Sequence, residues 1–333
     1  MMRKTPELDA AAAELHEEAD RLSREVDRLT LGAWKLEPSG QAGSAGAPLG
    51  FRRILLAVDG SDGASRAFAW VERLAPAFKA HVAVATVVPP ATVMDSYASQ
   101  FLPTAGMAAG ALLQEEEARA EQLVAGLAAR LEGQGVDASH TVLIGSPAAE
   151  LLKLAEREHA DLVVVGAHGG GAVERALLGS VADAVKNHAH ASVLLARNHP
   201  PARRVLVPVD GSRASKRAAA VALRLARAWD APVSFLHVLA PVAAVPENAM
   251  QASLRAALGG VDVTWVRPRA SAAIEIGKPA ERILAAALQE EANFIVMGSR
   301  GLSGLRSLVA GSVSNRVAHQ AQASVLLVKE AGS

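Results

Sequence analysis

Two stretches of this chain share one arrangement of small residues. The first has Gly166, two residues, Gly169, nine residues, then Gly179-Ser180. The second has Gly298, two residues, Gly301, nine residues, then Gly311-Ser312. Each follows a short apolar run and precedes a helix-forming segment. Glycines there let backbone amides approach an anion, because no Cβ stands in the way. A Gly-Ser that opens a helix presents free amides and the positive end of the helix dipole, which suits phosphate. The hydroxyls of Ser180 and Ser312 add a donor each. Taken singly, such glycines are as readily plain turns. Two copies in register, each on a strand–loop–helix, point to binding. The Gly-Lys-Ser/Thr ending of a P-loop is absent, and so are the three close-set glycines of the dinucleotide fingerprint.

A second pair of motifs precedes the glycines. Val58-Asp59-Gly60-Ser61 returns as Val209-Asp210-Gly211-Ser212. These carboxylates have two open roles, since Asp-Gly-Ser is also ordinary turn and helix-capping chemistry. His168 lies in the first glycine loop, and Arg300 takes the equivalent place in the second. His81, His140, His159, His188 and His190 show no metal-ligand spacing. The chain has no cysteine, which excludes disulfides, thiolate metal sites and a cysteine nucleophile.

The elements that must position these residues repeat as well. Asp210 lies 151 residues after Asp59, and Val238 lies 151 after Val87. Gly277-Lys278-Pro279-Ala280 follows Gly145-Ser146-Pro147-Ala148 by 132, as Ser324–Leu327 follows Ser192–Leu195. The first copy therefore carries a net 19 extra residues between Val87 and Gly145. Within it, strands are expected near 53–58, 81–87, 138–144, 161–166 and 192–196. Helices are expected near 63–78, 112–132, 147–159 and 180–189, the third with Ser146 as cap and Pro147 at its first position. The strands are continuous apolar runs, the mark of strands covered on both faces. Their alternation with helices predicts a parallel sheet with right-handed crossovers. In the second copy, 261–276 reads either as one bent strand or as two short ones. The expected fold is thus α/β: two Rossmann-like five-stranded parallel-sheet sandwiches in tandem, over residues 51–199 and 200–331, with an N-terminal helix within 1–37 and a Gly/Ser/Pro/Ala linker at 38–50.

Composition narrows the partners. Of 333 residues, 34 are basic and 34 acidic, so net charge gives no case for nucleic acid or an anionic membrane. Aromatics are too scarce, at 3%, for base-stacking platforms. No apolar run approaches a membrane span and the N-terminus lacks a secretory core, so the cytoplasm is expected. In the N-terminal helix, Leu8, Leu15, Leu22 and Leu29 recur every seven residues, with Ala12, Ala19 and Val26 four residues on. This seam suits either packing on the protein's own body or docking to a second copy or another protein.

The glycine motifs, with Val-Asp-Gly-Ser after the first strand of each copy, resemble the universal stress proteins of the nucleotide-binding branch, over about residues 51–330. The resemblance implies ATP or another adenine nucleotide as ligand. Val58, Asp59, Val209 and Asp210 would line the adenine side, and Val87 and Val238 would lie against or hydrogen-bond the base. Gly166, Gly169, Gly179, Ser180 and Val181 would surround ribose and phosphates, as would Gly298, Gly301, Gly311, Ser312 and Val313. The copies differ: Ala57 stands where the second has Pro208, and the first has the run Gly169–Gly171. The second copy, with Pro208 and His237-Val238, is closer to the family pattern. The resemblance further implies pairing of the two halves through their last strands, Ser192–Ala196 against Ser324–Val328. No residue stands out to orient water against a γ-phosphate. The expected function is a binding or sensing module of the stress response. Slow hydrolysis with Mg²⁺ held by the phosphates near Asp59 or Asp210, or a structural scaffold with vestigial sites, are the alternatives.

Overall fold

The computed structural model describes residues 50–89, 105–168, 178–240, 247–259, 270–299 and 311–330. The N-terminal helix, residues 38–49 of the linker, Gly169, Gly301, Arg300 and Val263–Val266 lie outside the described residues.

The first half runs β1 (Arg53–Ala57), α1 (Asp62–Phe78), β2 (His81–Val88), α2 (Ala105–Glu132), β3 (Ala138–Ile144), α3 (Pro147–Arg157), β4 (Leu162–Gly166), α4 (Ser180–His188) and β5 (Ser192–Ala196). The second runs β6 (Val205–Pro208), α5 (Arg213–Trp229), β7 (Val233–Leu239), α6 (Glu247–Leu258), β8 (Ala270–Ile276), α7 (Pro279–Gln289), β9 (Phe294–Gly298), α8 (Ser312–Gln320) and β10 (Ser324–Val328). The helix expected from residue 112 begins seven residues earlier, at Ala105. Of the ambiguous 261–276 segment, the described part is one strand, β8.

The ten strands form one sheet, in the order β3-β2-β1-β4-β5-β10-β9-β6-β7-β8. Within each half all pairings are parallel. The halves meet where β5 and β10 pair antiparallel, Leu194 opposite Leu326. Those two leucines are repeat equivalents, so the pseudo-twofold axis passes through their pair. The expected sandwiches are therefore two five-stranded halves of a single continuous sheet.

The strands are apolar on both faces because both are covered. Ile54 and Leu56 join a core under α1, α2, α5 and α6, while Leu55 faces the opposite core under α3, α4, α7 and α8. The outermost strand β3 is the exception: it packs against α2 but buries none of its residues fully and leaves Ile144 half exposed.

Helix α1 begins at Ser61, whose Oγ accepts from Ala64 N, and ends at Lys79 in the left-handed conformation. Helix α5 repeats this with Ser212 and Asp230. Ser146 occupies the N-cap position of α3 with Pro147 after it, but its hydroxyl makes no capping bond.

Aromatic packing ties the halves together on the α1/α5 side. Trp70 stacks on Phe294 at 4.5 Å between ring centroids and lies 5.6 Å from Trp229. The indole of Trp70 donates to Asn198 O, and that of Trp229 to Arg73 O. Near the axis, Arg197 N donates to Ser324 Oγ and Lys329 N to Ser192 Oγ, a reciprocal pair across the halves. The side chains of Arg197 and Lys329 reach Ala318 O and Ala189 O, at the C-terminal ends of the opposite half's helices. Cations are favoured there by the helix dipole.

Candidate nucleotide-binding clefts

In each half the strand order reverses between the first and fourth strands of that half, at β1/β4 and at β6/β9. A doubly wound sheet opens a crevice at such a switch point, beyond the carboxyl ends of the strands. A cleft of about 770 Å³ lies there in the first half and one of about 320 Å³ in the second.

The first cleft brings together Val58, Asp59, Val87, Gly166, Gly179, Ser180 and Val181. The second brings together Pro208, Val209, Asp210, Val238, Gly298, Gly311, Ser312 and Val313. Ala57 and His168 line the first as well.

Their local geometry assigns different work to residues of similar type. Asp59 Oδ1 accepts from Ser61 N at 3.0 Å, and Asp210 Oδ1 accepts from Ser212 N at 3.0 Å. Each aspartate thus shapes the turn with one oxygen while lining the cleft, so the two readings of these residues coexist. Gly60 and Gly211 follow at φ +74° and +85°, where a side chain would be strained.

The glycines after β4 and β9 line the clefts and are packing residues. A Cβ on Gly166 would lie 2.5 Å from the carbonyl carbon of Gly63, and one on Gly298 would lie 2.9 Å from Ala214 and from Ser215 N. Each glycine lets the start of α1 or α5 sit directly on the strand end. Gly179 and Gly311 are N-caps with extended backbones, ψ 150° and 155°. Their own amides are committed, donating to Ala167 O and Ser299 O. The first intrahelical bonds run from Asp183 N to Gly179 O and from Asn315 N to Gly311 O. The amides of residues 180–182 and 312–314 precede these and have no acceptor within their helices.

Three helices per half begin at the cleft, and α1 and α5 are finished differently from α4 and α8. Ser61 and Ser212 cap α1 and α5 with their own hydroxyls. Gly179 and Gly311 have no side chain with which to cap α4 and α8. This leaves the first-turn amides for an outside acceptor, and the exposed Ser180 and Ser312 stand beside them.

Val87 and Val238, each one residue before the end of β2 and β7, offer backbone. Val58 N donates to Ala85 O at 2.9 Å, so Ala85 turns its backbone groups toward β1. Val87, two residues on, turns its N–H and C=O the same way, where β1 has already ended at Ala57. Val209 N donates to Leu236 O, which sets up Val238 likewise. An adjacent donor and acceptor at the end of an apolar slot suit the edge of a heterocyclic base.

Sequence reasoning missed several wall residues. Thr86, Glu116 and Leu151 line the first cleft, and Pro279 and Ile283 the second. Glu116 comes from α2, whose sequence carries no motif. His237 is buried and bridges Val209 O at 2.7 Å and Ser253 Oγ at 2.8 Å, so it braces the wall of the second cleft. Ser314 Oγ donates to Ser299 O beside Gly311. Among the described residues there is no group of three or more His, Asp or Glu that could hold a metal. No described helix is long and apolar enough to cross a membrane.

A family model described as the universal stress protein family matches residues 50–197 and again 201–329. A universal stress protein of Thermus aquaticus is 41% identical over 134 residues, covering 38% of this chain and 97% of its own length. One from Mycolicibacterium smegmatis is 29% identical over 302 residues, 83% of this chain and 96% of the relative. Among solved structures, a universal stress protein from Archaeoglobus fulgidus superimposes with a TM-score of 0.60 at 22% identity, covering 83% of this chain and 98% of that one.

Proposed function

Because this chain belongs to the universal stress protein family, we propose that each half binds one adenine nucleotide, ATP foremost, and that the protein acts as a binding or sensing module of the stress response. The carrying observation is the pair of glycine-capped helices, α4 and α8, whose first-turn amides lie at a strand-switch cleft in both halves.

In this reading the adenine edge meets the backbone of Val87 or Val238, between Val58 or Val209 and the opposite wall. The second oxygen of Asp59 or Asp210 accepts from a ribose hydroxyl. Phosphates take the amides of Ser180 and Val181, or of Ser312 and Val313, with the serine hydroxyls alongside. Gly166 and Gly298 set the depth of the crevice, and Gly169 and Gly301 serve the intervening loop. Magnesium enters with the nucleotide, held by its phosphates, as this ion commonly is. The proposed setting is the cytoplasm. The N-terminal leucine seam is proposed as a self-association or partner-docking helix. Titration calorimetry of the full chain with ATP, ADP and AMP tests the binding claim. Micromolar affinity supports it, and steady multiple-turnover phosphate release would turn the module into a hydrolase.

A further inference from the structure

At the axis between the halves lies a cluster that breaks the internal symmetry. Lys186 on α4 is fully buried, and its Nζ donates to Asp183 Oδ1 at 2.7 Å and to Asn315 Oδ1, with His319 Nε2 2.9 Å away. An ammonium has three donors and no acceptor, and the carboxylate and amide oxygens take two of them. Asn315 and His319 come from α8 of the other half. His319 Nε2 also lies 3.1 Å from Asp183 Oδ1.

The repeat relates residues of the two halves by 132 here, so Asp183 corresponds to Asn315, Asn187 to His319 and Lys186 to Ala318. Lys186 therefore bonds the same position on both helices. A group that does so sits at the pseudo-twofold axis, where there is room for one. Ala318 is fully buried and shares its helix face with Asn315 and His319. The lysine on one side is matched by the smallest ordinary side chain on the other.

We infer that the Asp183–Lys186–Asn315–His319 cluster is a pairing code that accepts a second half across β5 and rejects another first half. Two first halves would bring two Lys186 ammonium groups to one buried point. Each would displace the other from its acceptors and remain charged without water, which is strongly unfavourable. Two second halves would leave the axis with no lysine at all. Unlike pairing is thereby specified by an element that penalises the alternative as well as favouring the observed partner. The burial of Asp183 would by itself raise its pKa. The bond and charge of Lys186, with His319, outweigh this and hold it low, consistent with an ion pair that the interface was built around. This inference does not rest on nucleotide binding.

The like pair can be reproduced inside one chain. Ala318→Lys in the full-length protein sets two amines at the axis. Its thermal midpoint is expected to fall by roughly 5 °C or more, or the chain to fail to fold. Lys186→Ala combined with Ala318→Lys moves the amine to the other helix, from which Asp183 is across the axis. This double variant is expected to recover most of the loss and to remain the same size by light scattering. If Ala318→Lys alone is harmless, or the double variant is no more stable than Ala318→Lys, the pairing code is wrong.

Discussion

Replacing Gly179 by aspartate isolates what the helix amides do. Its backbone angles, φ −63° and ψ 150°, are those an aspartate N-cap adopts, so the change adds no strain. The new carboxylate would accept from the amide of Val181 or Ala182, which Gly179 leaves uncapped. Aspartate in place of glycine at an N-cap gains a few tenths of a kcal/mol, and its charge at the dipole about 0.3–1 kcal/mol more. The thermal midpoint is therefore expected to hold or to rise by about 1–4 °C. The phosphate meets the opposite effect. It loses at least one charge-assisted bond of about 1.5–3 kcal/mol and gains a negative neighbour. That corresponds to a loss of roughly 10–100-fold in affinity. Gly311→Asp does the same in the second half, on a backbone at φ −61° and ψ 155°. Calorimetric titration with ATP, paired with a thermal melt, reads both quantities on one sample. Gly179→Ala is the control, since it adds a methyl group without a cap. An aspartate variant that melts at or above wild type yet binds ATP within threefold of it would refute the reasoning.

Four further outcomes follow from the same geometry. Gly166→Ala drives a Cβ to 2.5 Å from the Gly63 backbone, and should lower stability by about 1–3 kcal/mol in urea unfolding, more than Gly298→Ala, whose first contacts are at 2.9 Å. Asp183→Asn should flatten the acid limb of the stability profile. A carboxyl whose folded pKa lies below its unfolded value of 3.8 stabilises the protein at neutral pH and loses that contribution as pH falls through the folded pKa. The difference in melting temperature between wild type and Asp183→Asn should thus be largest near pH 7 and shrink toward pH 3. Trp70→Phe keeps the stack on Phe294 but drops the bond to Asn198 O, and should cost about 1–2 kcal/mol in urea unfolding. His237→Phe leaves Ser253 and Val209 O without their partner, and should weaken the second half's nucleotide affinity in a titration of the Gly179→Asp background while leaving the first half's unchanged in the Gly311→Asp background.

The architecture was legible because burial on both faces writes itself as unbroken apolar runs, and because the repeat shows every element twice. Ser324–Val328 was readable as the partner of Ser192–Ala196 only through family resemblance, since both strands look like any interior strand. The walls of the clefts were readable where a turn or helix start needs a special residue, as at Asp59-Gly60 and Gly179. They were opaque where ordinary helix residues do the lining, as with Glu116 and Ile283. Gly166 shows a subtler limit. Its place beside the ligand cleft was expected, but its closest constraint is the backbone of Gly63, and no pattern in the chain separates close packing from anion binding. Lys186 was invisible for a different reason: a lysine on a short helix reads as solvated until the opposite half is seen to supply Asn315 and His319.

The most direct test of two amide-capped nucleotide sites is native mass spectrometry of the intact chain with ATP at a few times the wild-type Kd, where a site weakened roughly 10–100-fold stays mostly empty. Two nucleotide increments per chain are predicted, falling to one in Gly179→Asp and to none when Gly311→Asp is added. A chain that stays at its bare mass, or that carries two nucleotides with both aspartates in place, would contradict the account.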